Sequence, residues 1–215
     1  MAHPSRLRST GPSSRTQRAV LKAAVDLLNA KGGHASVTIE KIAARAKVAK
    51  TTVYRWWPSK IAIFMEVFEQ LATKRLLGFA DSGSVELDLR HVLRGLLRLF
   101  RSTAAGAAVA GMIAEAQLNP RSAALFREEF IARGRILSRQ ALERAKFRGE
   151  VPHDFDIELA IDVMSGAIWY RLLLGHAPLD DAYAEGIIRL VIDGIRSRRM
   201  PAARAPLLKT SSDRD

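Results

Sequence analysis

The chain has 215 residues, of which 48% are hydrophobic, and it contains no cysteine. This length and composition allow a substantial buried core and exclude disulfide bonds and thiolate metal sites. The formal net charge of +12 at pH 7 favours an anionic partner, either nucleic acid or a membrane surface. No apolar run approaches the roughly 20 residues of a membrane span. The basic N-terminus has no apolar segment behind it, so we expect a soluble protein of the cytoplasm.

Positive charge is concentrated at the N-terminal end of the chain. Residues 1–60 carry 12 lysines and arginines against only Asp26 and Glu40, a net charge of +10. Residues 61–215 carry 22 basic and 20 acidic residues, so the rest of the chain is close to neutral. This distribution predicts that an anionic partner binds the first quarter of the chain.

Hydrophobic residues recur with the 3.6-residue period of a helix along nearly the whole chain, and alternating β-branched runs are absent. The sequence therefore predicts an all-α fold of about nine helices. The first covers SSRTQRAVLKAAVDLLNAKGG, where Ser13 or Ser14 can cap the start and the glycine pair ends the helix. The second begins at Thr38 and ends near Ala46, and the turn AKVA follows it.

The third helix, KTTVYRWW, completes a helix-turn-helix pattern with the second. Pro58 ends it, and Ser59 is placed to cap a fourth helix, KIAIFMEVFEQLATKRLLGF. In such a unit the later of the two helices, here the third helix of the chain, lies in the major groove of DNA. One of its faces must therefore be buried and the other must be polar. Val53 and Trp57 are the expected buried anchors, and Val48 is the expected inward residue of the turn.

The outward positions of this pattern carry side chains suited to DNA. Lysine, arginine and threonine can reach base edges and phosphates, and the tyrosine and the first tryptophan can each donate a hydrogen bond to a phosphate oxygen. The starts of the second and fourth helices offer free backbone N–H groups to anions. The predicted DNA contacts are Thr38, Lys50, Thr51, Thr52, Tyr54, Arg55, Trp56 and Lys60.

The stretch VTIEKIAARAKVAKTTVYRWWPSKIAIFMEVF resembles the N-terminal domain of the TetR family (TetR/AcrR type) of transcriptional regulators. The positions that carry the resemblance are Thr38, Ile42, Ala43, Ala46, Val48, Tyr54, Trp56, Trp57, Ser59 and Lys60. Lys47 departs from the pattern by replacing a turn glycine, so the turn must avoid a positive φ or accept strain. Ala49 replaces a capping serine or threonine, which removes a cap worth about 1 kcal/mol.

The resemblance implies a homodimer that binds a palindromic operator in double-stranded DNA, usually as a repressor. It also implies that a small-molecule effector, bound in the C-terminal domain, releases the DNA. We therefore divide the sequence into a flexible basic arm (1–12), a helix-turn-helix DNA-binding domain (13–60), a ligand-binding and dimerisation domain (61–199) and a flexible tail (200–215).

The C-terminal segments continue the helical pattern. The predicted helices beyond Gly83 are VELDLRHVLRGLLRLFRS, AAGAAVAGMIAEAQL, PRSAALFREEFIARGRILSRQALERAKFRG, DIELAIDVMSGAIWYRLLLGH and LDDAYAEGIIRLVIDGIRSRR. The last two have wide apolar faces with glycines that permit helices to approach closely, and family members dimerise through their last two long helices. We expect these two helices to form the dimer interface. The alternative is that the same faces pack within one monomer.

Aromatic and methionine side chains of the C-terminal domain are candidates for lining an effector pocket, although ordinary core packing is the simpler explanation for each of them taken singly. The Gly- and Ala-rich helix TAAGAAVAGMIAEAQ suggests room for a cavity. An apolar or aromatic effector fits these side chains, whereas a charged one has no evident buried partner apart from Arg171 and Glu115. The predicted ligand contacts are Phe64, Met65, Phe68, Phe100, Met112, Phe126, Phe130, Trp169 and Tyr170.

The sequence does not favour an enzyme. His153, Asp154 and Asp156 cluster at a helix start, where helix capping explains the acidic residues better than metal binding. There is no Gly-rich phosphate loop and no catalytic Ser/His/Asp order, so we predict no catalytic residue, metal or cofactor. Two alternatives remain, a carrier of apolar small molecules and a membrane-surface protein without specific DNA recognition. The first leaves the basic N-terminal domain unexplained, and the second needs an apolar face that the third helix lacks.

Overall fold

The computed structural model describes residues 14–76 and 81–199, and every regular element within these residues is helical. The predicted all-α class is therefore confirmed. The elements in chain order are α1 (Ser14–Leu28), a 3₁₀-helical turn (Gly33–Ser36), α2 (Ile39–Ala46), α3 (Lys50–Trp56), α4 (Lys60–Leu76), α5 (Val85–Ser102), α6 (Ala105–Leu118), α7 (Pro120–Leu125), a π-helical segment (Phe126–Ile131), α8 (Ala132–Gly134), α9 (Ile136–Phe147), α10 (Ile157–Leu174) and α11 (Asp181–Arg199). The predicted basic arm and C-terminal tail lie outside the described residues.

The N-terminal helices pack around one apolar centre. The periodic apolar positions of α1 and α2 bring Val20, Leu28 and Ile42 into this centre, where they are buried. The predicted start of α2 is confirmed, because the hydroxyl oxygen of Thr38 accepts a hydrogen bond from the backbone N–H of Lys41 at 3.2 Å. α1 packs against α2 and α4, and α2 packs against α3. The helix-turn-helix unit is therefore supported by α1 and α4.

The turn between α2 and α3 adopts a left-handed conformation. Lys47 ends α2 with φ 55° and ψ 44°, and it is the only non-glycine residue with a positive φ in the part of the chain that the structure describes. Its backbone N–H donates to the carbonyls of Ala43 and Ala44, which satisfies the end of α2. This conformation costs a non-glycine residue about 1–2 kcal/mol. The sequence left two alternatives at Lys47, a turn that avoids a positive φ and a turn that accepts strain. The structure has the second.

Ala49 occupies the N-cap position of α3. Its φ of −64° and ψ of 141° give the extended conformation of an N-cap, and its side chain makes no capping hydrogen bond. The predicted absence of a cap is therefore confirmed. The first turn of α3 relies on backbone bonds, among them the one from the Thr52 N–H to the Ala49 carbonyl at 2.9 Å.

The C-terminal helices differ from the sequence prediction in one segment. The sequence predicts a continuous helix from Pro120 to Gly149, whereas the structure divides it into α7, the π-helical segment, α8 and α9. A π-helical turn holds more residues than an α-helical one. In this segment Phe126 and Phe130 stack with ring centroids 5.2 Å apart, and their rings contact Trp169 on α10 and Phe68 on α4, respectively. We attribute the difference to this packing, which the periodicity of a single segment does not reveal.

A single hydrophobic cluster runs from α1 to α11. α4 contacts α1, α5 and α6, and it therefore joins the N-terminal helices to the C-terminal ones. Within the described residues no single helix has both the length and the hydropathy of a membrane span. Within these residues, only α5 and α6 taken together have this length and hydropathy, and the two helices meet at an angle of 91°.

Restoring the missing cap tests the description of α3. Ala49→Ser places a hydroxyl at an N-cap of suitable backbone geometry, so we expect the free energy of unfolding to rise by about 1 kcal/mol. Denaturant unfolding followed by circular dichroism measures the change. The control is Ala44→Ser, which puts the same side chain at an exposed position inside α2 and should lower stability by about 0.5 kcal/mol. Equal effects of the two substitutions would contradict the description.

Candidate nucleic-acid interface and cavity

α3 presents two different faces. Val53 and Trp57 are buried in the hydrophobic cluster, and Trp57 is only 3% exposed. Thr51 and Arg55 are exposed, and Thr52 is half-buried. The buried face holds α3 against the other N-terminal helices, while the opposite face offers hydroxyl and guanidinium groups to solvent. This division agrees with the faces expected from the sequence.

Charged and aromatic groups lie beside the polar face of α3. The ammonium of Lys50 forms an ion pair with the carboxylate of Glu40 in the first turn of α2, and it lies 5.5 Å from the centre of the Tyr54 ring. The hydrogen bond from Lys50 lowers the pKa of Glu40 to about 2, and the same bond raises the pKa of Lys50. Because both side chains are at least half exposed, water and salt screen the pair and it adds little stability. Arg55 has no ion-pair partner within the described residues.

The two adjacent tryptophans have different surroundings. The Trp57 indole N–H donates a hydrogen bond of 2.5 Å to the carboxylate of Glu66 on α4. The side-chain amide of Gln17 on α1 donates to the other oxygen of the same carboxylate. Trp56 is half-buried at the edge of the hydrophobic cluster, and Tyr54 is 44% exposed. Trp56 and Tyr54 therefore keep part of their rings accessible near the polar face of α3.

Lys60 forms an ion pair with a residue of α6. The sequence predicts a phosphate contact for Lys60, but its ammonium lies 3.2 Å from the carboxylate of Glu115 on α6 and 5.9 Å from the centre of the Phe64 ring. Both charged side chains are about three-quarters covered, because α6 packs against α4. The predicted cap of α4 is present, since the Ser59 hydroxyl accepts a hydrogen bond from the N–H of Ala62 at 3.4 Å. Lys60 thus connects α4 to the C-terminal helices.

The contact between α6 and the N-terminal helices is close. A Cβ on Gly111 of α6 would lie 2.6 Å from Cε2 of Phe64 and 2.9 Å from Cβ of His34 in the 3₁₀-helical turn. Only glycine permits this approach. Burial lowers the pKa of His34, and the nearby charge of Lys60 lowers it further. The contact is therefore made by an aromatic ring, an imidazole held towards its neutral form and a glycine.

A cavity of about 600 Å³ lies among α4, α5, the π-helical segment, α8, α9 and α10. Phe68 and Phe130 meet edge-on in its wall, with ring centroids 4.8 Å apart. The volume is within the range of small-molecule sites, and an aromatic wall suits apolar or aromatic surface. Five of the predicted ligand contacts line this cavity: Met65, Phe68, Phe100, Phe130 and Trp169.

Four other predicted ligand contacts lie away from the cavity. Phe64 and Met112 are fully buried in the core, and Phe126 stacks against Phe130 without lining the cavity. Tyr170 is on the exposed surface of α10. The small residues of α6 do not line it either, and Gly111 instead lets α6 approach α4. Periodicity identifies inward-facing side chains, but it does not say which of them face a packed neighbour and which face empty space.

The sequence prediction missed the charged residues of the cavity. Arg133 pairs with Glu69 at 2.9 Å and with Glu129 at 2.5 Å, and Arg135 pairs with Asp162. All five residues line the cavity. The i,i+4 spacing of Glu129 and Arg133 was the only signal in the sequence, because the other pairs join different helices.

No metal centre is indicated in the part of the chain that the structure describes, since no group of three or more histidine, aspartate or glutamate side chains there could hold an ion. Asp156, considered above as a metal ligand, accepts a hydrogen bond from the N–H of Leu159 at 2.9 Å and caps α10. The capping interpretation of Asp156 is therefore confirmed.

Comparisons with known proteins agree with this geometry. Residues 20–67 match the family model for bacterial regulatory proteins, tetR family, and residues 79–191 match the model for the tetracyclin repressor-like C-terminal domain. The HTH-type transcriptional regulator YdeS of Bacillus subtilis (strain 168) is 36% identical over 182 residues, which cover 85% of this chain and 90% of YdeS. The DNA-binding transcriptional repressor TetR of Mycobacteroides abscessus is 28% identical over 88% of this chain and 97% of its own length.

A solved structure is also similar to this chain. The crystal structure of the TetR family transcription regulator SCO0332 superimposes with a TM-score of 0.66 at 32% identity, covering 84% of this chain and 98% of that one. The fold, the two-faced α3 and these matches together define a DNA-binding transcriptional regulator of the repressor type. The chain belongs to the TetR family of bacterial transcriptional regulators. The resemblance found in the sequence is thereby confirmed.

Gly111→Ala tests the close approach of α6. The added methyl group meets the buried Phe64 ring and the His34 side chain, so we expect the free energy of unfolding to fall by about 1–3 kcal/mol. Denaturant unfolding of the full chain measures the change. Gly134→Ala is the control, because a Cβ on Gly134 would meet no neighbouring group within 4 Å. A Gly111→Ala variant as stable as this control would show that α4 and α6 do not pack so closely.

Proposed function

We propose that the protein is a homodimeric repressor that binds a palindromic operator and releases it when a small apolar or aromatic effector enters the cavity. The observation that carries the proposal is the polar face of α3, which is open to solvent while the opposite face is buried. Helix-turn-helix proteins read the major groove with a helix held in this way. We assign DNA binding to residues 13–60 and effector binding and dimerisation to residues 61–199. A chromosomal operator places the protein in the cytoplasm.

The proposed DNA contacts fall into two groups. Thr51, Thr52 and Arg55 are proposed to meet base edges, where a guanidinium can bond guanine and a hydroxyl can bond several bases. Lys50 is proposed to exchange its screened, exposed partner Glu40 for a phosphate, which carries the stronger negative field. The residues proposed to contact phosphates are Thr38, Lys50, Tyr54 and Trp56.

Exposed apolar side chains on α10 and α11 support the dimer. A Cβ on Gly186 or Gly194 of α11 would meet no neighbouring group within 4 Å, so this helix leaves room for close packing against another molecule. A second copy is the proposed occupant, because two copies of α3, the proposed recognition helix, must lie about 34–36 Å apart to read two half-sites. The large apolar residues exposed on these helices are Leu159, Val163, Tyr170, Leu173, Leu174 and Leu190.

The cavity supports the effector part of the proposal. Its aromatic wall suits an apolar or aromatic ligand, and the ion pairs among its charged residues offset one another. Met65 and Phe68 of α4 line the cavity, and the same helix leads to the helix-turn-helix unit. An effector that favours a different pose of α4 therefore changes the spacing of the recognition helices. Relieving repression about a hundredfold requires about 2.7 kcal/mol of differential affinity.

DNA binding is tested by selecting bound fragments from the source genome and titrating salt. Neutralising about 6–10 phosphates predicts that affinity falls about 10³–10⁵-fold between 50 and 200 mM salt. Fluorescence anisotropy with a selected duplex measures the slope. A flat salt titration would exclude the proposed electrostatic contact with DNA.

Two matched variants separate base contacts from charge alone. Arg55→Ala removes an exposed cation from α3 and is expected to relax the sequence preference, at a cost of about 1–3 kcal/mol on the selected site. Arg98→Ala removes an exposed cation from α5 and should leave the preference unchanged. Competition between the selected duplex and a scrambled one measures the preference. If Arg55→Ala discriminates as well as Arg98→Ala does, Arg55 is not a base contact.

Leu190→Glu tests the proposed dimer interface. Leucine is 75% exposed at this position of α11, and a carboxylate there would be buried without a partner in the dimer. Sedimentation velocity should therefore show a monomer where the wild-type chain is a dimer. The control is Leu118→Glu at the end of α6, where leucine is 84% exposed and lies outside α10 and α11. A monomeric wild-type chain, or a Leu190→Glu variant that stays dimeric, would contradict the interface.

A further inference from the structure

Glu66 lies on α4 between the cavity and the N-terminal helices. It follows Met65 directly and is within one helical turn of Phe68 and Glu69, and all three of these neighbours line the cavity. The carboxylate of Glu66 instead contacts the N-terminal helices, because adjacent helix positions point about 100° apart. One turn of α4 therefore contacts the cavity with one face and the DNA-binding unit with the next.

The carboxylate of Glu66 joins three elements of the fold. It accepts one hydrogen bond from the Trp57 indole at 2.5 Å and another, on its second oxygen, from the Gln17 amide of α1. A carboxylate can accept both bonds at once, and bonds to an ionised acceptor are stronger than bonds between neutral groups. This single side chain therefore ties α4 to α1 and to the residue that follows α3.

Trp57 links Glu66 to the C-terminal end of α3. Its backbone N–H donates to the carbonyl of Val53 at 2.9 Å, which makes Trp57 the C-cap of α3. Its side chain is almost fully buried, and an indole N–H can only donate. If α4 moved without Trp57, the indole would lose its acceptor inside a buried site, which is unfavourable. A movement of α4 is therefore passed to the C-terminal end of α3.

We propose that Glu66 is a positioning residue that couples the effector cavity to the recognition helix through its hydrogen bond to Trp57. The inference rests on the proposed function, and it specifies the contact through which a movement of α4 changes the position of α3. Glu66 itself touches neither DNA nor effector. Coupling between two binding sites is reciprocal, so DNA bound to α3 changes the surroundings of Met65 at the cavity. This reciprocity permits a test that needs no effector.

The probe is the ¹³C-labelled methyl group of Met65 in the full chain, observed by NMR. Adding a selected operator duplex to the wild-type chain is expected to shift the Met65 signal. Trp57→Phe keeps an aromatic ring but removes the N–H donor, so we expect the shift to fall to about half or less. Binding of the duplex should weaken by no more than about tenfold, because one hydrogen bond is lost and the ring stays buried. The signals of Met112 and Met164, which are buried away from the cavity, report that the variant is folded.

A second variant and a control make the test specific. Glu66→Gln should also reduce the Met65 shift, because a neutral amide oxygen accepts a weaker hydrogen bond from the Trp57 indole than an ionised carboxylate does. Glu143→Gln makes the same change of charge at an exposed position of α9 and should give the wild-type shift.

The outcomes separate this inference from the function on which it rests. A full Met65 shift in Trp57→Phe and Glu66→Gln would overturn the inference, and so would a wild-type chain that binds the duplex without any shift. A wild-type chain that binds no duplex would overturn the proposed function, and the inference with it.

Discussion

The indole of Trp57, buried and hydrogen-bonded to Glu66, holds α3 at the angle at which its polar face is open. With Val53 it anchors one side of a helix of only seven residues, which has no side-chain cap at its start. Such a short helix has little stability of its own, so its orientation depends on this tertiary packing. The exposure of Thr51 and Arg55 is a consequence of that anchoring. The hydrogen bond that completes it also ties α3 to α4.

α4 is held firmly where it leaves the helix-turn-helix unit. The Gly111 contact brings α6 against Phe64, and the Lys60–Glu115 ion pair lies within the same pair of helices. From Met65, the residue after Phe64, α4 forms part of the wall of a cavity that has the volume to admit a small molecule. Close-packed contacts at one end and free volume at the other are the conditions under which a local change can be passed along a rigid helix. Glu66 shares a turn of α4 with the cavity residues Met65 and Phe68 but contacts Trp57, and this position gives it the proposed coupling function.

The sequence predicted those features that depend on local pattern. The helix-turn-helix unit, the cap at Thr38 and the two faces of α3 follow from helical periodicity and from hydrogen bonds within a few residues. The sequence could not decide whether Lys47 would adopt a positive φ, because flanking contacts outweigh the local strain. It also placed Phe64 at the cavity and Lys60 on the DNA-facing surface. Both residues instead contact α6, and Glu115 is 55 positions beyond Lys60 in the chain. Contacts between helices so distant in sequence leave no periodic signal. The division of the predicted long helix into α7, the π-helical segment, α8 and α9 leaves none either.

Methylation interference on a selected operator tests most directly whether the polar face of α3 lies in the major groove. Methylation at guanine N7 blocks an acceptor in the major groove, whereas methylation at adenine N3 modifies the minor groove. If α3 lies in the groove, N7 methylation abolishes binding in two patches about 10 base pairs apart, one for each subunit of the proposed dimer. Adenine N3 methylation inside those patches should have little effect. Full binding to a duplex methylated at every guanine N7 of the site would show that α3 does not read the major groove.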